Sequence, residues 1–488
     1  MPTLEWIGKK AVVNWHRKVP FRLLRCDPEL SVGEAGSGNL LVQGDNLEAL
    51  KALLPCYAGK VKCIYIDPPY NTGNEGWVYN DAVNSPEMRE WLGEAVGRDD
   101  LSRHDKWLCM IHPRLALLRE FLTEQGLIFI SIDDNEAFDL RLLMDEVFGQ
   151  ENWVQTIIWK NKYGPGAMTK GFGNVHEYIL CYSKNPIDTI EAPLGEEKMK
   201  EYKGRDDKYE TRGGFVTQPL ATRSKDDRPN LVYPVQHGGE EIWPDKQWIW
   251  ERSRLEAAIA RDEVVFRKSK GRWSVRFKQY LRDERGRIRM AKPISIMNGP
   301  FNQEGTWEIE GVFGDKRFPN PKPVALIKYL LAMVVNGDDS LDGVYLDSFA
   351  GSGTTAEAVM QLNEEDGGQR RFVLIEMDPT VCSRVTHERL KRATEGFRNH
   401  RSGDDVVGIG DGFRYCRLGA ALFTADGKIT DEVRFADLAR HVFFIETGEP
   451  LPKNARLNSP FLGAVRGVGV YLLYNGILKD KSPGGGKS

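Results

Sequence analysis

The sequence has no apolar run approaching the roughly 20 residues that cross a bilayer, and its start, Met1 to Lys10, lacks the apolar core of a signal peptide. A cytoplasmic protein without a membrane segment is expected. Cysteine is sparse: the thiols at 26, 56, 63, 109, 181, 382 and 416 include no Cys-x-x-Cys pair. That spacing argues against a zinc site and against a disulfide framework, and several of the thiols lie in apolar runs, as buried reduced cysteines do. No metal is expected. His104 and His112 read as a polar loop residue and a helix-start residue rather than as a ligand pair. A Gly-x-x-x-x-Gly-Lys-Ser/Thr triphosphate loop is missing, as is an acid-x-lysine cluster of the nuclease kind. An excess of one charge is missing too, since the net charge is -3 over 488 residues. The whole-chain charge therefore does not announce a nucleic-acid protein. What remains is a globular chain, 41% hydrophobic, with room for about two or three domains.

Within it, Val61 to Ile66 reads as a buried strand of a parallel sheet that ends abruptly in Asp67-Pro68-Pro69-Tyr70. Ligands of open α/β sheets bind just beyond the carboxyl ends of such strands, so Asp67 stands at the edge of a site. Each proline lacks an N–H, and the turn offers carbonyls that only accept hydrogen bonds, beside a carboxylate that also only accepts. This suits an exocyclic amine. Binding both hydrogens of adenine N6 to Asp67 and the Pro68 carbonyl would leave the lone pair facing an electrophile, and Tyr70 offers a flat face for a base. An ordinary strand end with a Pro-Pro turn is the plain alternative. The polar loop Asn71-Thr72-Gly73-Asn74-Glu75-Gly76 that follows could close over a base, and an irregular stretch continues to about Ser102.

A second strong pattern is Val344 to Ala356: a strand ending at Asp347, then Phe349, a turn through Gly351 and Gly353, and a helix from Thr354. Glycines allow close backbone approach to a ligand. Taken alone, Gly351, Gly353 and Ala356, with Glu376 at the end of the next strand, also fit a dinucleotide fingerprint, so a dehydrogenase is a competitor. Asp45, before the helical pattern Leu47, Leu50, Leu53 and Leu54, is a helix N-cap or a cofactor contact. Lys322-Pro323 precedes a helical run from Val324 to Val335. The strands Gly126 to Asp134, Trp153 to Trp159 and His176 to Tyr182 complete a sheet, the last two in an antiparallel arrangement. From Ser183 to about Asp315 the character changes to short β-branched runs rich in Trp, Pro and charge. Between Arg261 and Lys292 there are 12 Lys/Arg against 4 Asp/Glu, with Phe266, Trp273, Phe277 and Tyr280 interleaved. Such a cluster, Arg267, Lys268, Lys270, Arg272 and Arg276 above all, suits a duplex backbone, with the aromatics stacking on or wedging between bases. The alternative is a solvated basic face over ordinary core aromatics.

Asp67-Pro68-Pro69-Tyr70 resembles the catalytic tetrapeptide of amino-methylating DNA methyltransferases. Phe349-x-Gly351-x-Gly353-Thr354 resembles their cofactor loop, and Phe372 to Glu376 the strand whose acid holds the cofactor ribose. The tetrapeptide comes first and the loop last, which is the permuted β-group order. Trp107-Leu108 with Pro113-Arg114-Leu115, Ile130 to Glu136 and His176 to Leu180 further resemble the modification subunits of type III restriction systems, over most of residues 39 to 400. More weakly, so do Gly412 to Tyr415 and Val470 to Leu478. Members of that family often run longer than this chain.

The resemblance implies a Rossmann-like α/β methyltransferase fold with a mostly parallel seven-stranded sheet. The expected divisions are an N-terminal extension (1–38), a catalytic half (39–182), an inserted α+β target-recognition domain (183–315), a cofactor half (316–400) and a C-terminal region (401–488). It also implies S-adenosylmethionine as cofactor. Asp45, Lys322, Pro323, Asp347, Phe349, Gly351, Gly353, Thr354 and Glu376 would bind it, while Asp67, Pro68, Pro69 and Tyr70 would act on the adenine of duplex DNA. A second copy of the chain and a separate nuclease/translocase subunit are candidate partners. The rivals are methylation of cytosine N4 or of a protein glutamine amide, and a DNA specificity subunit without catalysis. An acid at position 67 favours adenine.

Overall fold

The structure, a computed structural model, describes residues 3–33, 38–72, 102–165, 171–223, 226–284, 286–338, 341–452, 455, 457 and 459–473. The polar loop beyond Thr72, the irregular stretch to residue 101 and residues 474–478 lie outside them.

Runs of Val, Ile and Leu too apolar to face water on either side form the centre of one sheet of ten strands. In chain order these are β1 (Arg22–Val32), β2 (Leu40–Gln43), β3 (Val61–Ile66), β4 (Leu122–Ile132), β5 (Trp153–Lys160), β6 (His176–Ser183), β7 (Ile296–Asn298), β8 (Asp342–Asp347), β9 (Gln369–Glu376) and β10 (Phe413–Ala421). Their spatial order is β1-β10-β2-β9-β8-β3-β4-β6-β5-β7. The stretch from β2 to β5 is the expected mostly parallel seven-stranded, Rossmann-like sheet, in which β6 runs antiparallel to both β4 and β5. Three further strands extend it to ten: β10 parallel to β2, β1 antiparallel to β10, and β7 parallel to β5. β1 comes from residues 1–38, expected only as an N-terminal extension.

The helices that cover this sheet include α1 (Asn46–Tyr57), α2 (Arg103–Phe121), α3 (Ala137–Phe148), α4 (Asn302–Phe313), α5 (Val324–Leu331), α6 (Thr354–Asp366), α7 (His387–Glu395) and α8 (Phe435–Thr447). Leu50 and Leu53 of α1, Trp107 and Leu118 of α2 and Leu143 of α3 pack with Ile64, Ile66, Ile128 and Ile130 of the sheet in one core. Each such aliphatic side chain contributes about 1.5–3 kcal/mol on burial. Among the described residues no helix is long and apolar enough to cross a membrane.

Several expectations are corrected. The helix from Val324 stops at Leu331 rather than Val335, because Val334–Val335 is extended and Asn336 (φ 48°) and Gly337 (φ 75°) turn the chain. His112 is not at a helix start: α2 begins at Arg103, where Ser102 and Asp105 form a reciprocal capping box, and His112 lies buried nine residues on. That burial pulls its imidazole down to about 4. Cys26 and Cys416 face each other across β1 and β10 and form a disulfide, so the thiols are not all reduced. Their separation of 390 residues hides that pairing from the sequence.

The chain divides into two compact units, residues 1–190 with 293–488, and residues 191–292. The second is narrower than the 183–315 expected. Ser183 is the last residue of β6, and residues 293–315 supply β7 and α4 to the first unit. The second unit is α+β. The strands Val264–Ser269, Arg272–Tyr280 and Phe215–Pro219 form an antiparallel sheet, and the helix Arg252–Ala260 packs Leu255 and Ala258 into a core with Leu220, Trp248, Val264 and Val275.

Candidate active site

β8 and β3 are parallel neighbours at the point where the strand order reverses, so the acids that end them, Asp347 and Asp67, emerge at the same edge of the sheet. Both line one cleft, together with Lys322, Phe349, Gly351 and Thr354. Lys322, just before α5, sends its ammonium to both carboxylate oxygens of Asp67, at 2.9 and 2.8 Å, and to the Tyr70 hydroxyl at 2.9 Å. The Tyr70 hydroxyl donates to Glu177 Oε2 (3.1 Å), and Lys322 Nζ lies 3.6 Å from that oxygen. β6 is antiparallel, so its beginning, where Glu177 sits, meets the carboxyl ends of the parallel strands. Burial raises the Asp67 carboxyl, with Lys322 holding it back. Burial also acts to lower the Lys322 ammonium, but Asp67 and Glu177 more than offset this and its pKa is raised. The Lys322 ammonium is thus set between the Asp67 and Glu177 side chains.

Two features of the tetrapeptide were not readable in sequence. The Pro69 carbonyl accepts from Trp107 Nε1 at 2.6 Å, which fixes that side of the turn against α2. Lys322 Nζ also lies 4.9 Å from the centre of the Tyr70 ring, covering one side of the surface offered to a base.

The glycine turn is built for its conformation. Gly351 (φ 51°) and Gly353 (φ 81°) are left-handed, and a Cβ on Gly353 would stand 3.2 Å from Thr386 Cγ2. Glu376, 1% exposed at the end of β9, accepts from the Gly351 N–H (2.8 Å) and the Asp378 N–H (2.8 Å). Asp347 accepts from the Phe349 N–H (2.9 Å) and the Thr355 hydroxyl (2.6 Å), yet burial still pushes its carboxyl up to about 7. Thr354 donates to the Lys322 carbonyl (3.2 Å), tying the turn to the segment that carries the lysine into the cleft. Pro323 is the N-cap residue of α5 and sets the direction of that helix. Asp45 caps α1 through the Glu48 N–H (2.9 Å) and pairs with the buried Arg114 (3.1 Å). The cap reading of Asp45 thus holds, with Arg114 as a partner that the sequence did not suggest.

Sequence reasoning missed the supports of this cleft. Arg389 of α7 is buried and binds Glu357 (2.7 Å), Glu308 (3.3 Å), the Ser352 hydroxyl (3.1 Å) and the Thr354 hydroxyl (3.0 Å). Glu308 in turn accepts from the Val324 N–H at 3.1 Å, closing the start of α5. Burial raises the Glu308 carboxyl to about 7. Its residue lies in the stretch that the sequence reading placed in the inserted domain. A readable signal for Glu177 existed, an acid opening an apolar strand, but its relevance depends on β6 running antiparallel.

In the second unit, Arg267, Lys268, Lys270 and Arg272 are exposed around a tight hairpin turned by Lys270 (φ 49°) and Gly271 (φ 75°). Lys268 is engaged with Glu240 (2.6 Å), and Arg276, half-buried, binds the Thr217 hydroxyl (2.9 Å) and carbonyl (2.6 Å). The interleaved aromatics serve the unit's interior. Phe266, Trp273 and Phe277 pack on its core, and Tyr280 is buried with its hydroxyl on Asp206 (2.6 Å). The wedge reading of those rings is corrected accordingly.

The DNA methylase family profile, covering N6 and N4 enzymes, matches residues 61–387. The Mod subunit of the type III restriction-modification enzyme StyLTI of Salmonella typhimurium is 33% identical over 443 residues, 85% of this chain and 64% of that protein. The Mod subunit of EcoPI from Escherichia phage P1 is 36% identical over 425 residues, 78% of this chain and 64% of that protein. The type II methyltransferase M.KpnI of Klebsiella pneumoniae is 29% identical over 382 residues, 73% and 83% of the two chains. The chain spans just under two thirds of the length of the two type III relatives.

Proposed function

Since the chain belongs to the DNA methylase family, we propose that it transfers a methyl group from S-adenosylmethionine to adenine N6 in duplex DNA, as the modification subunit of a restriction-modification system. The observation that carries this reading is the juxtaposition of Asp67 and the left-handed glycine turn at the carboxyl ends of two adjoining parallel strands. The cleft suits the cofactor. A buried carboxylate, Glu376, stands beside a turn without Cβ atoms at Gly351 and Gly353, ready for ribose hydroxyls, with Phe349 and Asp347 alongside. Asp45 and Pro323 belong to the segments flanking that cleft.

S-adenosylmethionine supplies an electrophilic methyl group on a sulfonium. The chain's own residues do the positioning. A base acted on by such an enzyme must first leave the stack. Its amine then gives one N–H to Asp67 and the other to the Pro68 carbonyl, and incoming adenine takes one Asp67 oxygen from Lys322, whose ammonium has Glu177 3.6 Å away. Holding the amine in this orientation contributes much of the rate. Asp67 does not deprotonate the amine beforehand, because the amine is far too weak an acid. As the nitrogen becomes positive, the carboxylate stabilises it, and the nitrogen loses one proton after the methyl has transferred to give the neutral product. The product is decided by digesting treated DNA to nucleosides and separating them by mass. N6-methyldeoxyadenosine is expected, methylated deoxycytidine alone overturns the adenine assignment, and strand breaks from the purified chain overturn its assignment as a subunit that modifies without cutting.

Glu376→Ala removes the acid assigned to the ribose. Losing one charge-assisted contact costs about 1.5–3 kcal/mol, or roughly 10- to 150-fold in affinity. Calorimetric titration of cofactor into the variant checks this, and an unchanged affinity removes Glu376 from the cofactor site.

The second unit is assigned to DNA target recognition. Arg267, Lys270 and Arg272 are the exposed cations of its hairpin with no side-chain hydrogen bond to the described residues, so these, rather than Arg276, would meet phosphates. Neutralising all of them reduces the slope of log affinity against log salt by up to about 2.7, at about 0.9 per phosphate contact. A slope that does not move sets the hairpin away from DNA. A second copy of the chain and a separate nuclease subunit complete the proposed assembly, to be checked by light scattering and by co-purification.

A further inference from the structure

The catalytic loop carries a support that its motif does not contain. Asn71, directly after the tetrapeptide, is 5% exposed and left-handed at φ 56°. Asparagine tolerates this conformation better than other side chains with a Cβ, but something must hold it there. Its amide donates to the Arg103 carbonyl (3.1 Å) and to Glu136 Oε1. Glu136 is 1% exposed and is the N-cap residue of α3, and the same Oε1 lies 2.7 Å from His104 Nδ1. Its other oxygen, Oε2, has no hydrogen-bond partner among the described residues. A buried carboxylate held this way costs desolvation, and burial pushes Glu136 up to about 7 despite Asn71 and His104. A residue whose only task was to begin α3 would be cheaper as a serine or threonine.

The contact joins three segments: the end of the loop after β3, the first turn of α2 and the turn after β4. With Trp107 on the Pro69 carbonyl and Lys322 and Glu177 on the Tyr70 hydroxyl, every residue from Pro69 to Asn71 is tied to a surrounding element. We infer that Glu136 is a positioning residue, which through Asn71 holds the Asp67–Tyr70 loop in the conformation that presents Asp67 and Pro68 to the target base. This rests on the proposed methyl transfer, since the loop is the part that would bind the amine.

The test uses the full chain and the variants Glu136→Ala, Glu136→Gln, Asn71→Ala and the double Glu136→Ala/Asn71→Ala. With saturating cofactor and DNA, kcat of Glu136→Ala is expected to fall about 30- to 100-fold, as a loop displaced by about 1 Å would cause, while the Kd for S-adenosylmethionine stays within about threefold. Glu136→Gln keeps a carbonyl oxygen for the Asn71 amide and should recover most of kcat, a rescue that general loosening of α3 would not give. Because Glu136 acts on the loop through Asn71, whose amide also holds the Arg103 carbonyl, the double variant should be no slower than Asn71→Ala. Losses that multiply, or a Glu136→Ala kcat near that of the unaltered chain, overturn the inference. Amide exchange at Tyr70, Asn71 and Thr72 provides a reading independent of catalysis: it should accelerate in Glu136→Ala and not in Glu136→Gln. If the unaltered chain methylates no DNA, the proposed function fails while this exchange still decides the clamp, and unchanged exchange in Glu136→Ala overturns it.

Discussion

Asp67→Ala is expected to lower methyl transfer by at least about 10²- to 10³-fold, with the Kd for S-adenosylmethionine within about threefold of the unaltered chain. The first effect follows because, on the proposed reading, Asp67 is the carboxylate that accepts from the amine of a flipped base, while Glu177 beside it is engaged by the Tyr70 hydroxyl and lies 3.6 Å from Lys322. The second follows because the residues assigned to the cofactor, Glu376 and the glycine turn, are held by their own contacts, Gly351 N–H to Glu376 at 2.8 Å and Thr386 to the Gly351 carbonyl at 2.6 Å. The fold should survive, since Lys322 keeps the Tyr70 hydroxyl at 2.9 Å and Glu177 at 3.6 Å. Asp67→Asn separates shape from charge: it keeps an accepting oxygen but loses the charge that stabilises the developing cation. Single-turnover transfer of labelled methyl to DNA measures both, and normal turnover by Asp67→Ala removes Asp67 from the chemistry.

Lys322→Met is expected to cost about 3–5 kcal/mol of stability, the magnitude for removing one partner of a buried ion pair. The lysine side chain is 7% exposed and faces Asp67 and Glu177, which are 15% and 14% exposed. Methionine replaces its length and apolar stem but leaves two carboxylates confronting each other away from water. The Lys322→Met/Asp67→Asn double variant removes the confrontation and should regain much of the loss. Urea unfolding of both variants checks this. A loss below about 1 kcal/mol would mean that water reaches the pair and that it behaves as a surface bridge. Methyl transfer should fall in Lys322→Met as well, because Asp67, already raised by burial, loses the cation that opposes that rise.

The legible parts of this protein are those whose chemistry is contiguous in the chain. Val61 to Tyr70 announces a buried strand and a site at its end because the apolar run and the acceptor-rich turn adjoin. Asp347 to Thr354 announces a left-handed turn because only glycine accepts those angles comfortably. The insertion was visible as a change of composition, but its limits were not: residues 293–315 look like the insert in composition and yet supply β7 and the helix that carries Glu308. The basic hairpin was legible as charge, whereas the packing of the half-buried Phe266, Trp273 and Phe277 on the core required the antiparallel pairing with Phe215–Pro219 and the helix Arg252–Ala260.

By itself, then, the sequence determined the seven central strands, the glycine turn, the tetrapeptide and the order in which they occur, because periodicity, backbone restriction and side-chain chemistry act over a few neighbouring residues. Only the tertiary structure decided that Lys322 meets Asp67 across 255 positions, that Glu177 joins them from an antiparallel strand, that Arg389 braces the glycine turn and that Glu136 holds Asn71. Those pairings depend on which strands adjoin and in which direction they run, and a buried charge finds its partner by proximity in the folded sheet rather than by spacing along the chain.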